Sequence, residues 1–422
     1  MSMTSRERLA TTLRHQQPDR VCVDFGSTAV TGMAVRIVSQ LRHRLLGDPS
    51  YRVKVTEPYQ MLGEIDEELR EALGIDVMSV SAPKNMFGFA NRGWKPFTLF
   101  DGTDVLVPEE FRVTTDANRN LLIYPEGDTT VPPCARMPEG GYFFDAISRQ
   151  EPIVEEELDP AANLGEFALL TEDDLRHYEA EAGRTVVRKK GSVVGIPGTG
   201  FGDIALVPAL GSRHTPGIRD VEEWYVSTSA RRDYVYKVFE GQCAIALQNL
   251  EKLIARLGDT VQVGFVTGTD FGAQTGSFIS RKAYLELYQP FHRIINDYIH
   301  THSSWKTFIH SCGSVINLIP DFIDAGFDIL NPVQTSAAGM DPVTLKKTFG
   351  KDLVFWGGGV DTQKTLPYGT PDDVYREVRD RIRILGEGGG FVFNTVHNIQ
   401  ANVPIENVEA MFRALRECGE MQ

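Results

Sequence analysis

Short, almost wholly apolar runs alternate along this chain with longer stretches whose apolar positions recur at helical spacing. The runs occupy 21–26, 75–80, 192–198, 261–266, 306–310, 328–333, 353–358 and 390–394. Runs so brief and so continuously apolar fit strands buried on both faces, the signature of a parallel sheet. Between them, Val35, Ile37, Val38, Leu41 and Leu45 keep one helical face, Leu69 and Leu73 another, and a third helix is expected from Ser280 to His300. Further helices are expected to begin near Ile316, Pro342 and Pro371. For the last two, Asp341 and Thr370 are N-caps placed before a proline at the first helical position. Strand followed by helix, eight times, predicts an α/β fold of the (β/α)8 TIM-barrel type. An open doubly wound sheet is the alternative, but no strand runs into the GxGxxG turn such folds use. The nearest look-alikes, Gly198-Thr199-Gly200-Phe201-Gly202 and Gly357-Gly358-Gly359, have the wrong spacing.

The rhythm breaks once. From about Asn85 to Leu164 the pattern alternates apolar with polar around turn residues, as in Val105-Leu106-Val107 after Asp101-Gly102 and Leu121-Leu122-Ile123-Tyr124 after Asp116-Ala117-Asn118. Asp-Gly between alternating runs is a hairpin signal, so a β-rich insertion is expected after the second barrel strand. The resulting division is 1–84 (N-terminal helix and first barrel units), 85–164 (insertion) and 165–422 (remainder of the barrel).

Composition narrows the function classes. A net charge of −14, from 43 Lys and Arg against 57 Asp and Glu, argues against nucleic acid as a partner. No apolar run approaches a membrane span of about 20 residues, and the first residues lack a signal-peptide core, so a cytoplasmic protein is expected. The five cysteines, Cys22, Cys134, Cys243, Cys312 and Cys418, lack CxxC spacing and read as reduced thiols. A homodimer is compatible with the sequence and not required by it.

In such a barrel the residues just past each strand line the active site. Two strand ends place metal-binding side chains there: His310-Ser311-Cys312 after the fifth and His397 after the eighth. His310 and Cys312 are two apart, so they share a face if the chain is extended, and an imidazole with a thiolate suits zinc better than magnesium or calcium; by itself the pair reads more simply as a buried Cys beside a core His. Closure of the barrel puts strand eight across the mouth from strand five. His310, Cys312 and His397 are therefore the candidate zinc ligands, with a fourth position open to water or substrate. The alternative is a metal-free His397 that binds a substrate carboxylate or amide. Asp270, in the loop after strand four, reads as a general acid or base, an orienter of a ligand or a fourth ligand, or else as a turn or cap residue. The other seven histidines, His292, His300 and His302 among them, read as surface residues.

These segments resemble the uroporphyrinogen decarboxylase superfamily. The resemblance rests on Thr269-Asp270-Phe271-Gly272-Ala273-Gln274-Thr275-Gly276 with Ile279-Ser280, on Pro290-Phe291-His292-Arg293-Ile294-Ile295, on His310-Ser311-Cys312-Gly313, and on the end from Gly390-Phe391-Val392-Phe393 through His397-Asn398-Ile399 to Val403-Pro404-Ile405-Glu406-Asn407-Val408. The superfamily divides into porphyrinogen decarboxylases and zinc-dependent corrinoid or thiol methyltransferases. The decarboxylases carry paired arginines after the first strand; here that loop reads Asp24-Phe25-Gly26-Ser27-Thr28-Ala29-Val30, without Arg. The methyltransferases carry the His-x-Cys pair as zinc ligands, yet usually have Cys where His397 stands, as the decarboxylases have His. The resemblance thus implies a methyltransferase with zinc at His310, Cys312 and His397, and with Asp270 and Gln274 positioning a small methyl donor or acceptor beside the Gly357-Gly358-Gly359 turn. Its corrinoid co-substrate, methylcobalamin, would be carried by a separate corrinoid protein. The Asp-x-His-x-x-Gly motif of a cobalamin carrier is absent here, Phe308 standing in the Asp position. Two other readings remain: a metal-free decarboxylase-like lyase acting through His397 and Asp270 on a small carboxylate or tetrapyrrole-related substrate, and a non-catalytic corrinoid or tetrapyrrole binder.

Overall fold

A computed structural model describes residues 2–421. Its main sheet has eight strands, all parallel: one (Cys22–Val23), two (Val77–Val80), three (Gly191–Gly195), four (Val263–Thr267), five (Lys306–His310), six (Ile329–Asn331), seven (Val354–Trp356) and eight (Phe391–Phe393). Their order is one-eight-seven-six-five-four-three-two. Strands one and two meet through the Asp76 N–H on the Val23 carbonyl at 2.8 Å and the Val23 N–H on the Asp76 carboxylate at 3.0 Å, which leaves a nearly closed barrel. The expected fold class holds.

The period of two along each strand decides what fills the barrel. Cys22, Val77, Val193, Val263, Phe308, Ile329, Val354, Trp356 and Val392 form one interior cluster, with Leu9 and Leu13 packed beneath it. Those two leucines belong to the helix Ser5–Leu13, which starts with a Thr4/Glu7 capping box and closes the N-terminal end of the barrel. Arg8 of this helix, 4% exposed, reaches the fully buried Asp76 at 2.7 Å, and Arg20 reaches the same carboxylate at 2.8 Å. Thr370 makes a capping box with Asp373 and Asp341 caps the helix at Pro342, as expected, whereas the helix expected near Ile316 begins at Ile319; Thr171 makes a further capping box with Asp174.

The β-rich part is more spread out than its sequence suggests. One small sheet, from Val113–Thr115 to Asp145–Ala146, lies within 85–164. The other joins the hairpin of Lys95–Thr98 and Asp104–Val107 to Val53–Glu57 and Leu62–Gly63, which precede barrel strand two. Val105 and Val107 need apolar neighbours, and the buried Val53 and Val55 supply them. The boundary expected at 84/85 therefore cuts through a sheet. Phe87, Phe111 and Phe144 of this region share one continuous core with the barrel helices, so it is an elaboration of the barrel wall. Among the described residues no helix is long and apolar enough to cross a membrane.

Two expectations are corrected. His292 is a core residue with no exposed surface, set among Phe201, Phe271, Tyr284 and Phe327. Burial holds its imidazole neutral, its pKa pushed down to about 3. It sits on the inner side of the helix Gln289–His302, whereas His300 and His302 of the same helix are exposed as expected. The Gly357-Gly358-Gly359 turn does not open space for a substrate either. A Cβ on Gly358 would lie 2.6 Å from the Val333 carbonyl and one on Gly359 would lie 2.2 Å from the Phe393 ring. These glycines let strand seven pack against strands six and eight.

Candidate metal centre

Phe308 points into the barrel, so His310, two residues on, lies on the same side and just above it, at the C-terminal mouth. Cys312 follows in the loop, and His397 lies four residues past the end of strand eight. One ligand atom from each of His310, Cys312 and His397 lies within 4.8 Å of the others. The Cys312 Sγ is 3.3 Å from His310 Nε2, and the two imidazoles meet edge to face with centroids 5.4 Å apart. No other group of three or more His, Cys, Asp or Glu residues among the described ones is so arranged.

The loop bearing Cys312 is fixed by its neighbour after strand four. The Cys312 N–H donates to Asp270 Oδ1 at 2.6 Å, and the Phe271 N–H donates to Ser311 Oγ at 2.9 Å. The two loops touch at Gly272 and Gly313. A Cβ on Gly313, whose φ is +84°, would stand 2.3 Å from the Gly272 carbonyl carbon, so only glycine permits this approach. Asp270 Oδ1 also stands 3.8 Å from His310 Nε2, outside the ligand triad but beside it. Gln274 is exposed at the rim and its amide is engaged: it donates to the Ser336 carbonyl at 2.6 Å and accepts from Gln334 at 3.0 Å. Gln334 in turn accepts the Gly313 N–H at 2.7 Å. Gln274 thus ties the loops of strands four, five and six together. Strand eight's loop is tied to strand one's by Asn398, which accepts the Gly32 N–H and donates to the Ala29 carbonyl and to Gln60.

Burial governs the protonation states. Desolvation pushes the Cys312 thiol well above its usual range, and the Asp270 carboxylate adds to the effect. Burial lowers His310, and burial with the neighbouring His310 lowers His397 to about 3. All three candidate ligands are therefore neutral at pH 7. Two imidazoles with free lone pairs and one ionisable sulfur, already converged, fit a zinc ion. One prediction follows from these directions. Zinc binding at pH 7 should release about one proton, from Cys312 alone, so affinity should rise about tenfold per pH unit while the free thiol stays protonated. Calorimetry in buffers of different ionisation enthalpy reads this number directly; a value near zero would contradict it.

Two further ionisable groups interact with Asp270. Asp203, in the loop after strand three, lies against Gly268, where a Cβ would be 2.7 Å from its Oδ2. Burial and then the charge of Asp270 push its carboxyl up to about 6. Tyr225, on the helix Val221–Ala230, is pushed to about 12 by burial and then by Asp270 and Asp203. The sequence signal of Asp203 is position alone: it directly follows the Gly198–Gly202 stretch at a strand end.

The uroporphyrinogen decarboxylase (URO-D) family profile matches residues 219–418, which include the loops of strands four to eight and all three candidate ligands. The chain carries a uroporphyrinogen decarboxylase family domain. Two curated proteins of different activity match parts of the chain. The methylated-thiol–coenzyme M methyltransferase of Methanosarcina mazei is 27% identical over 146 residues, 34% of this chain and 35% of that protein. The uroporphyrinogen decarboxylase of Mannheimia succiniciproducens is 27% identical over 180 residues, 40% of this chain and 48% of that one. The matched stretches thus span half or less of these relatives' length. A solved methyltransferase from Methanosarcina mazei has the same fold across 99% of both chains, with a TM-score of 0.54 at 14% identity.

Proposed function

We propose that this chain is a zinc-dependent methyltransferase that moves a methyl group between a corrinoid, carried on a partner protein, and a thiol or other small acceptor. The observation that carries this reading is the convergence of His310, Cys312 and His397, brought from two strand ends 87 positions apart, with donor atoms within 4.8 Å. Bound zinc would supply Lewis acidity that holds a thiol as its anion at neutral pH. The chain's own part is to present two neutral imidazoles and one ionisable sulfur, and to keep Cys312 in place through the Asp270 carboxylate. Asp270 and Asp203 are the carboxylates beside the ligands that can take the proton an acceptor gives up.

The test is metal analysis of the purified protein followed by assay with free methylcobalamin and a panel of thiols. About one zinc per chain and zinc-dependent loss of the methylcobalamin spectrum are expected. Protein that binds no zinc and leaves methylcobalamin unchanged would favour the lyase reading instead, and bound pigment without turnover the binding-protein reading. Substrate size gives a further expectation. The loop after strand one presents Ser27, Thr28 and Thr31 and no arginine, so a multiply carboxylated porphyrinogen lacks its counter-cations there. Uroporphyrinogen should remain unchanged on incubation; decarboxylation at about 1 per second or faster would refute this.

A further inference from the structure

We infer that Asn331 is a positioning residue that fixes which nitrogen of His310 is offered to the metal. The inference deepens the zinc reading and rests on it for its consequence, but its geometry stands alone. His310 and Asn331 are directly paired across strands five and six, so their side chains leave the sheet side by side. His310 Nδ1 and Asn331 Oδ1 are 2.5 Å apart, and Asn331 Nδ2 is 2.8 Å from the Trp356 carbonyl. Asn331 has no exposed surface and His310 only 3%, so water does not compete for either contact.

The direction of the chain of hydrogen bonds follows from its far end. A backbone carbonyl only accepts, so the Asn331 atom facing Trp356 must be the NH2 group. The atom facing His310 is then the amide oxygen, which also only accepts. His310 Nδ1 must therefore carry the hydrogen, and Nε2, 3.3 Å from Cys312 Sγ, keeps its lone pair for the metal. Strand seven makes room for this relay. A Cβ on Gly357 would come within 3.1 Å of Asn331 Nδ2 and 2.9 Å of the Thr395 carbonyl. Asn331 thus does for His310 what a carboxylate or carbonyl does behind many zinc-bound histidines: it sets the tautomer and the ring orientation.

Three measurements test this. In metal-free wild-type protein with 15N-labelled histidine, the His310 resonance, identified by its loss in His310→Gln, should have the shifts of an Nδ1–H tautomer. A predominant Nε2–H form would overturn the inference whether or not the protein binds zinc. Zinc affinity, by chelator competition, should fall about 10–100-fold in Asn331→Leu, while Asn331→Asp, whose side chain still accepts from Nδ1, should stay within a few-fold of wild type. If Asn331→Leu does not fold, Asn331→Asp and the wild-type tautomer decide. Loss of zinc in Asn331→Asp equal to that in Asn331→Leu, or no loss in a folded Asn331→Leu, would make Asn331 merely structural. Failure of the zinc reading itself has a different mark: wild-type protein that binds no zinc but shows the Nδ1–H tautomer.

Discussion

Cys312→Ser is expected to give a folded, zinc-poor and inactive protein. Cys312 is the one ligand of the three that becomes an anion, and a serine hydroxyl in its place stays protonated where a thiol ionises on the metal. The loss of zinc affinity should therefore exceed the roughly 10–100-fold that changes behind a ligand cost. The fold should be spared, because Cys312 is half-buried in a loop whose place is set by its backbone N–H on Asp270 and by the contact of Gly272 with Gly313. Stability within about 1 kcal/mol of wild type is expected from chemical denaturation. A variant retaining a full equivalent of zinc would remove Cys312 from the site, and with it the basis for a methyltransferase.

Asp76→Ala should do the reverse, leaving the ligands untouched and weakening the barrel. The Asp76 carboxylate is fully buried and accepts from Arg8 and Arg20, from the Ser5 hydroxyl and from the Val23 N–H. It joins three things: the helix that closes the barrel floor, strand one, and strand two. Removing it strands the Arg8 guanidinium, only 4% exposed, with Asp19 as its remaining carboxylate. A buried charge that loses a partner costs about 3–5 kcal/mol. A matching fall in unfolding free energy is expected in urea, with zinc content per folded chain unchanged. A loss under about 1 kcal/mol would mean that barrel closure does not depend on this carboxylate.

The two substitutions separate what is legible in the sequence from what is not. The eight strands could be read because burial on both faces demands unbroken apolar runs, and those runs have no other use in a chain of this composition. The helix starts could be read because capping is local: Thr171, Thr370 and Asp341 bond backbone groups two or three residues away. Asp76 is different. Within the run 75–80 it looks like a defect, and only Arg8 and Arg20, 68 and 56 positions away, make it a hub. The insertion was misjudged for the same reason, since pairing of Val53–Glu57 with Asp104–Val107 leaves no trace in either segment alone.

For the candidate site, the sequence by itself determined the types of the candidate ligands and their strand ends. Those follow from residue identity, from a period of two, and from the rule that loops past barrel strands line the mouth. Only the tertiary structure decided that the three donor atoms meet, that His292 lies in the core, and that the glycines after strand seven pack against protein. It also brought Asp203 beside Asp270, and Asn331 behind His310. Each of these depends on distances between residues on different strands. Sequence pattern records which face a side chain takes, whereas the partner across that face is set only when the sheet curls into a barrel and the loops above it find their contacts.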